Sequence, residues 1–168
     1  MRALSELEGC VLGILWKRGA RSAYAVRREM LDSPSTHWSG SAGAIYPLLE
    51  RLRKREWVRS RTASQGDRES TVYGITRAGR ERLLAWIEPP FEPDVVSIAM
   101  DPLRTRVHFL GALPPARRRA FLRQARAELV RHLEELASEP VTDEFDRQAL
   151  RGGLRVTRAR IAWLDELL

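Results

Sequence analysis

One short stretch of the chain, residues 41–54, carries side chains suited to contact a polyanion. Small residues come first, a phenol follows, and cations come last. This order suits a helix whose N-terminal end lies against phosphates, because helix N-termini favour anions and small residues permit close approach. The candidate DNA-contacting residues of this stretch are Ser41, Ala42, Ala44, Tyr46, Arg51 and Lys54. An ordinary surface helix with a solvated charged face is the alternative interpretation.

Side chains for catalysis or metal binding do not cluster in the sequence. The three histidines, His37, His108 and His132, are scattered, and none stands beside a nucleophile or paired carboxylates. No CxxC, HExxH, P-loop or dinucleotide-binding motif occurs. We therefore predict that the chain is not an enzyme and has no catalytic residue, no metal site and no cofactor.

The apolar residues of the stretch predict the helix that presents these side chains. They recur at i, i+3, i+4 and i+7, which is one face of an α-helix, and they are Ile45, Leu48, Leu49 and Leu52. Ser41 is the predicted N-cap, because its hydroxyl can accept a hydrogen bond from a backbone N–H of the first turn.

Two short strands are predicted directly after this helix. Residues 57–62 alternate in type, with Arg59 and Arg61 on one side, and residues 71–76 form the second strand. Residues 63–70 are the predicted polar tip, where Arg68 is a candidate for contact with a minor groove or a flanking phosphate. A helix followed by a basic hairpin is the outline of a winged helix.

Capping residues predict the helices around this outline. Ser5 and Glu8 form a capping box for a first helix that ends at Gly19, Ser22 caps a second, and Thr76 caps a third. In the second of these helices, Arg28 is either solvated or a contact to the DNA backbone. A proline-rich segment, residues 88–94, then interrupts all helical pattern and predicts two domains, 1–88 and 89–168.

The second half carries apolar residues at alternating spacings of three and four, typical of helix-on-helix contacts that often join two chains. These residues are Leu122, Ala125, Leu129, either His132 or Leu133, Leu136, Leu154, Thr157, Ile161, Leu164 and Leu168. Because two amphipathic helices cannot close a core by themselves, a symmetric homodimer is predicted.

Charge and cysteine content narrow the class of protein. The net charge is +7, and residues 1–88 carry most of it, with 16 Lys and Arg against 10 Asp and Glu. This excess favours a polyanion partner. No stretch is long and apolar enough to span a membrane, and the single Cys10 excludes an internal disulfide. A cytoplasmic location is therefore expected.

Three runs in the first half resemble the PadR family of bacterial transcriptional regulators. They are GAIYPLLERL at 43–52, Trp57-Val58, and VYGITRAG at 72–79. The resemblance implies a mainly α-helical fold with a small β-hairpin wing. It pairs a winged helix-turn-helix domain at 1–88 with a C-terminal antiparallel helical dimerisation region at 89–168, to which helix 4–18 contributes. The implied function is sequence-specific DNA binding, as a repressor that acts as a homodimer on a palindromic operator.

The resemblance also places the dimer interface and an effector. A terminal WLDEL run at 163–167 is similar to the family's dimerisation segment. Some members bind flat aromatic or phenolic compounds between subunits, and Trp16 and Trp163 are the candidates to stack on such an effector here. The alternative function is a winged-helix protein–protein interaction module that does not read DNA.

Overall fold

A computed structural model of the chain describes residues 4–33, 42–65 and 68–168. The chain divides into two compact units, Met1–Val96 and Ser97–Leu168. The domain boundary predicted after residue 88 lies a few residues before this division of the chain. Residues 89–96 belong with the first unit, since Phe91 and Val95 line a cavity together with Leu4 and Trp86.

The first unit consists of short helices and a three-stranded sheet. Its elements are α1 Glu6–Arg18, β1 Arg21–Ser22, α2 Ala23–Leu31, a 3₁₀ turn Ala42–Ala44, α3 Ile45–Lys54, β2 Val58–Gln65, β3 Arg68–Ile75, α4 Arg77–Ile87 and α5 Pro93–Val96. A mainly helical chain with a small wing is the predicted fold class, and it is confirmed.

The predicted caps of three helices are confirmed. Ser5 and Glu8 close the first turn of α1 reciprocally, and Gly19 ends that helix at a positive φ of 75°. The Ser22 hydroxyl accepts from the backbone N–H of Ala25, and the Thr76 hydroxyl accepts from that of Gly79. Each cap satisfies a backbone donor that the helix itself leaves unpaired, so these helix starts are encoded locally.

One core joins the helices and the sheet of the first unit. The four apolar residues predicted for α3, namely Ile45, Leu48, Leu49 and Leu52, are all completely buried. They pack in one cluster with Leu12 and Leu15 of α1 and with Val26 and Met30 of α2. The opposite face of α3 is therefore directed away from this core.

The hairpin is longer than its sequence pattern indicates. The sheet order is β1-β3-β2, all antiparallel, and the β2–β3 ladder continues from Val58↔Ile75 to Gln65↔Arg68. The predicted polar tip at residues 63–70 is therefore wrong in its extent. A ladder needs only backbone hydrogen bonds, so the polar residues at its end show no alternation that would reveal it.

The second unit is a helical hairpin with a short helix before it. Its elements are α6 Pro102–His108, a 3₁₀ turn Leu110–Ala112, α7 Pro115–Ala137 and α8 Glu144–Leu167. Leu122 and Leu129 of α7 pack with Leu164 of α8 in one buried cluster. The repeats predicted as an interface between chains thus join α7 and α8 of the same chain.

Candidate nucleic-acid interface

The N-terminal end of α3 presents small residues and uncapped backbone groups. The 3₁₀ turn leads into α3, whose N-cap is Ala44, and within the described part of the chain no side chain caps this helix start. Gly43 and Ala44 are exposed. The predicted cap, Ser41, and the side chain of Ala42 lie outside the described residues. Pro47 has no backbone N–H and Ile45 is buried, so an acceptor such as a phosphate oxygen can approach this helix start beside the exposed Gly43, Ala44 and Tyr46.

The outward face of α3 combines a phenol with cations. Tyr46 exposes 52% of its surface, and Arg51 and Lys54 are exposed. Position 46 lies in the first turn and position 54 ends the helix, so the three side chains span about 12 Å at 1.5 Å per residue. The structure thus brings the sequence-predicted residues of α3 onto one accessible surface.

The C-terminal end of α3 is closed by a Schellman motif. The backbone N–H of Trp57 donates to the carbonyl of Leu52 at 3.0 Å, and that of Glu56 donates to Arg53 at 2.9 Å. This motif requires a left-handed residue, usually glycine, yet the position is held by Glu56 with φ 59°. The turn directs the chain from α3 into β2 and so fixes the wing relative to the helix.

An ion pair between a buried carboxylate and a partly exposed arginine ties α1 to the end of α3. The Glu8 side chain is only 4% exposed, and its Oε1 accepts from Arg55 Nη1 at 3.0 Å. Its Oε2 accepts from the backbone N–H of Ser5 at 3.0 Å. The same Arg55 guanidinium lies 5.0 Å from the ring centre of Trp57, and Arg82 lies at 5.1 Å. Cation–π contacts thus hold Trp57 beside this pair.

A second polar group ties α3 to the sheet. Glu50 accepts hydrogen bonds from Arg53 Nε and from the Tyr73 hydroxyl, both at 3.0 Å. Two hydrogen bonds lower the pKa of the Glu50 carboxyl, and the one from Arg53 has a larger effect than the one from Tyr73. Sequence reasoning missed this function of Glu50 and Arg53. Their i,i+3 spacing on a helix was a usable signal, whereas the contact with Tyr73 was not.

The cations predicted outside α3 have mixed outcomes. Arg28 is exposed on α2, where its Nε lies 3.2 Å from Asp32, and its pKa is raised by a hydrogen bond with Tyr24 and by Asp32. Arg59 and Arg61 are exposed on β2. Arg68 begins β3 by pairing with Gln65, and its side chain lies outside the described part of the chain.

The two candidate effector tryptophans lie in different units. Trp16 of α1 exposes 56% of its surface in the first unit. Trp163 of α8 is half-buried and lines a cavity of about 290 Å³ in the second unit, together with Arg104, Arg160 and Asp101. Arg160 Nη2 donates to Asp101 Oδ1 at 2.8 Å. All the residues that line this cavity belong to the second unit.

Three features bear on other classes of function. Within residues 4–33, 42–65 and 68–168, no group of three or more His, Cys, Asp or Glu side chains could hold a metal ion. In the same ranges, no helix has both the length and the apolar character needed to cross a membrane. Cys10 is buried, and burial raises the pKa of its thiol to about 12.

Two family models match the chain, one for each half. The model of the PadR-like transcriptional regulators matches residues 11–85. The resemblance to the PadR family that the motifs of the first half predicted is thereby confirmed. A second model, described as the C-terminal region of virulence activator alpha, matches residues 101–168. Because the PadR-like proteins are transcriptional regulators, the prediction that the chain is not an enzyme is confirmed.

Similar proteins span almost the whole chain. A probable transcriptional regulator of Mycobacterium tuberculosis, Rv1176c, is 26% identical over 88% of both chains. Bacillus subtilis PadR in complex with operator DNA has a TM-score of 0.81 at 20% identity, over 99% of this chain and 98% of that one. The same protein in complex with p-coumaric acid has a TM-score of 0.71 at 18% identity, over 98% of this chain and 96% of that one. At such identities the two structures show the shared fold.

Proposed function

We propose that this PadR-like regulator binds double-stranded DNA through α3 and represses transcription as a homodimer on a palindromic operator. The observation that carries the proposal is the division of α3 into two faces. Four apolar side chains are completely buried on one face, while Tyr46, Arg51 and Lys54 stand exposed on the other. The likeness in fold to a regulator bound to operator DNA supports the same orientation of this helix.

In this proposal α3 enters the major groove with its N-terminal end foremost. The exposed Gly43 and Ala44 permit close approach to the backbone or the base edges, and the uncapped N–H groups of the first turn favour a phosphate. Arg51 and Lys54 supply positive charge, and Arg28 and Arg68 are the proposed additional phosphate contacts. Ser41 and Ala42 extend the same end of the helix.

The ties behind α3 give the interface its rigidity. Glu50 links α3 to Tyr73 of the sheet, and Glu8 links the residue after α3 to α1. A reading helix must be held in a defined orientation, because a small displacement removes side chains from the bases they contact. Glu50 lies four residues from both Tyr46 and Lys54, so its link to Tyr73 holds the outward face of α3 itself in place.

The proposed homodimer rests on an exposed apolar stripe along α8. Its residues recur at alternating spacings of four and three on one flank of α8, and they are Phe145, Ala149, Gly152, Val156, Ala159 and Trp163. Phe145 exposes 77% of its surface and Val156 exposes 61%. A monomer would leave this stripe in water, whereas a second copy would bury it and repeat α3 at a symmetric position. Two such helices would fit half-sites about 34 Å apart.

The cavity beside Trp163 is the proposed site for a small aromatic effector. Its volume of about 290 Å³ suits a single-ring compound, the indole can stack on that ring, and Arg104 and Arg160 can attract a carboxylate. Bacillus subtilis PadR in complex with p-coumaric acid supports an effector of this chemistry. Because Val156 and Trp163 belong both to this cavity and to the apolar stripe, an effector here would act on the dimer.

Salt-dependent DNA binding tests the proposal. The purified chain is titrated with duplex DNA from the region upstream of its own gene, at several salt concentrations. We expect a steep loss of affinity with salt and a further loss in Lys54→Glu on any sequence, because a phosphate contact becomes a repulsion. Arg117→Glu, an exposed position in the second unit with the same change in charge, is the matched control.

Two results would contradict this proposal. Equal losses in Lys54→Glu and Arg117→Glu would show a general effect of charge and remove α3 from the interface. Binding to no DNA at low salt would instead favour the protein–protein interaction module. If DNA binding holds, a reporter gene behind the same upstream region should be expressed more strongly when the regulator is deleted, as repression requires.

A further inference from the structure

The middle of α8 contains an unusual run of positive charge. Residues 147–164 include five arginines and neither Asp nor Glu. Carboxylates occur only toward the two ends of the helix, at Asp143, Glu144, Asp146, Asp165 and Glu166. The net charge of residues 89–168 is small, but five of their arginines are concentrated in the middle of α8, away from the carboxylates.

Four of the five arginines share one flank of α8. At 100° per residue, positions 147, 151, 155 and 158 fall within about 80° of one another. Arg147, Arg151, Arg155 and Arg158 are all exposed, and we call them the arginine stripe. The fifth, Arg160, turns to another flank and pairs with Asp101. The centre of the arginine stripe lies about 120° around the helix from that of the apolar stripe proposed for the dimer.

The arginine stripe is not neutralised within the chain as other arginines of this unit are. On α7, Arg126 pairs with Asp165, and Arg131 pairs with Glu128. Among the described residues, Arg151, Arg155 and Arg158 form no ion pair, and Arg147 donates to the carbonyl of Thr142 at 3.2 Å. Like charges spaced by four residues weaken a helix. The arginine stripe therefore lowers the stability of α8, which indicates that it serves binding and not folding.

The composition of this flank indicates which polyanion it contacts. Sites for partner proteins are built around buried aromatic or aliphatic anchors, whereas contacts with a nucleic-acid backbone are polar and cationic. The side chains beside the arginine stripe are Gln148, Leu154, Ala159 and Ala162, and none of them is an exposed large apolar side chain that could serve as such an anchor. Guanidinium groups bind phosphates through paired hydrogen bonds. From position 147 to 158 the stripe extends about 16 Å, while each DNA strand carries a phosphate every 3.4 Å along its axis.

We propose that the arginine stripe of α8 binds backbone phosphates of duplex DNA outside the sequence contacted by α3. The inference rests on the proposed function, because it adds a second, sequence-independent contact to the same DNA complex. It assigns to the C-terminal unit a direct part in DNA binding, in addition to its part in the dimer.

The test compares two lengths of duplex. The short duplex is the minimal upstream fragment whose binding Lys54→Glu abolishes, and the long duplex adds about 15 base pairs of arbitrary sequence on each side. The stripe variant is Arg151→Gln/Arg155→Gln, which removes two charges and keeps good helix formers. The matched control, Arg117→Gln/Arg123→Gln, removes two exposed charges from α7.

We expect wild type to bind the long duplex about tenfold more tightly than the short one, and the stripe variant to lose that advantage. The slope of log affinity against log salt on the long duplex should fall by about 0.9 for each phosphate contact removed. Affinity for the short duplex should not change. Arg151→Lys/Arg155→Lys, which keeps the charges, should retain most of the advantage, and the control pair should retain all of it.

Three results would overturn the inference. A stripe variant that matches wild type on the long duplex would refute it, and so would equal losses in the stripe and control pairs. A loss of equal size on both duplexes would also refute it, because the stripe would then act through the folded state or the dimer. If wild type binds neither duplex, the proposed function itself fails, and that outcome is distinct from the other three.

Discussion

Gly79 is the position where a single methyl group should have the largest effect on the DNA-binding unit. A Cβ on residue 79 would overlap the carbonyl oxygen of Trp57 and lie 2.9 Å from its carbonyl carbon and 3.0 Å from Ile75 Cγ1. Two of these neighbours are backbone atoms that cannot rotate away. The Trp57 carbonyl also accepts the backbone N–H of Thr76 at 3.0 Å, so α4 and β2 cannot separate without losing this bond.

The free energy of unfolding for Gly79→Ala follows from three contributions. Overpacking costs about 1–3 kcal/mol, and loss of the Thr76 hydrogen bond costs about 1 kcal/mol. The higher helix propensity of alanine returns about 1 kcal/mol, because residue 79 lies within α4. The net expectation is a loss of about 2 kcal/mol, which in a unit of this size lowers the Tm by about 10 °C.

Urea unfolding followed by tryptophan fluorescence measures this loss, with Gly13→Ala as the matched control. Gly13 is also helical, but a Cβ there would meet no atom within 4 Å. The control should therefore be as stable as wild type or up to about 1 kcal/mol more stable. If Gly79→Ala and Gly13→Ala changed stability in the same direction and by the same amount, the close approach of α4 to Trp57 would be refuted.

Three further predictions concern the turn after α3, the buried thiol and the proposed dimer. Glu56→Gly should stabilise the chain by about 1 kcal/mol in urea unfolding, because glycine adopts the positive φ of this turn without strain; a destabilised variant would contradict the Schellman geometry. The folded state keeps the Cys10 thiol protonated up to about pH 12, so the stability it supports is complete below the unfolded pKa of about 8.5. That stability should fall by about 1.4 kcal/mol per pH unit from there toward pH 12. Cys10→Ala should not show this fall in stability with pH. If the stability of wild type and Cys10→Ala depended on pH in the same way, the prediction for the buried thiol would be refuted. Val156→Glu should convert a dimer into a monomer in sedimentation velocity, and a Val156→Glu dimer would exclude the apolar stripe as the interface.

Features that depend on neighbours along the chain could be predicted from the sequence. The caps at Ser5, Ser22 and Thr76 and the buried face of α3 all follow from contacts within a few residues. Hydrogen bonds and side-chain periodicity at i+3 and i+4 are properties of one segment, so its residue types suffice to reveal them. The family motifs at 43–52 and 72–79 lie on these same segments.

Only the tertiary structure decided which surfaces meet. The repeats at Leu122, Leu129 and Leu164 indicate helix packing, but only the fold shows that they join α7 to α8 within one chain. That pairing leaves a different stripe, through Val156, for a partner. Likewise the links from Glu8 to Arg55 and from Glu50 to Tyr73 join residues far apart in sequence. An apolar or charged side chain specifies the kind of neighbour it needs, whereas the identity of that neighbour depends on how distant segments are brought together.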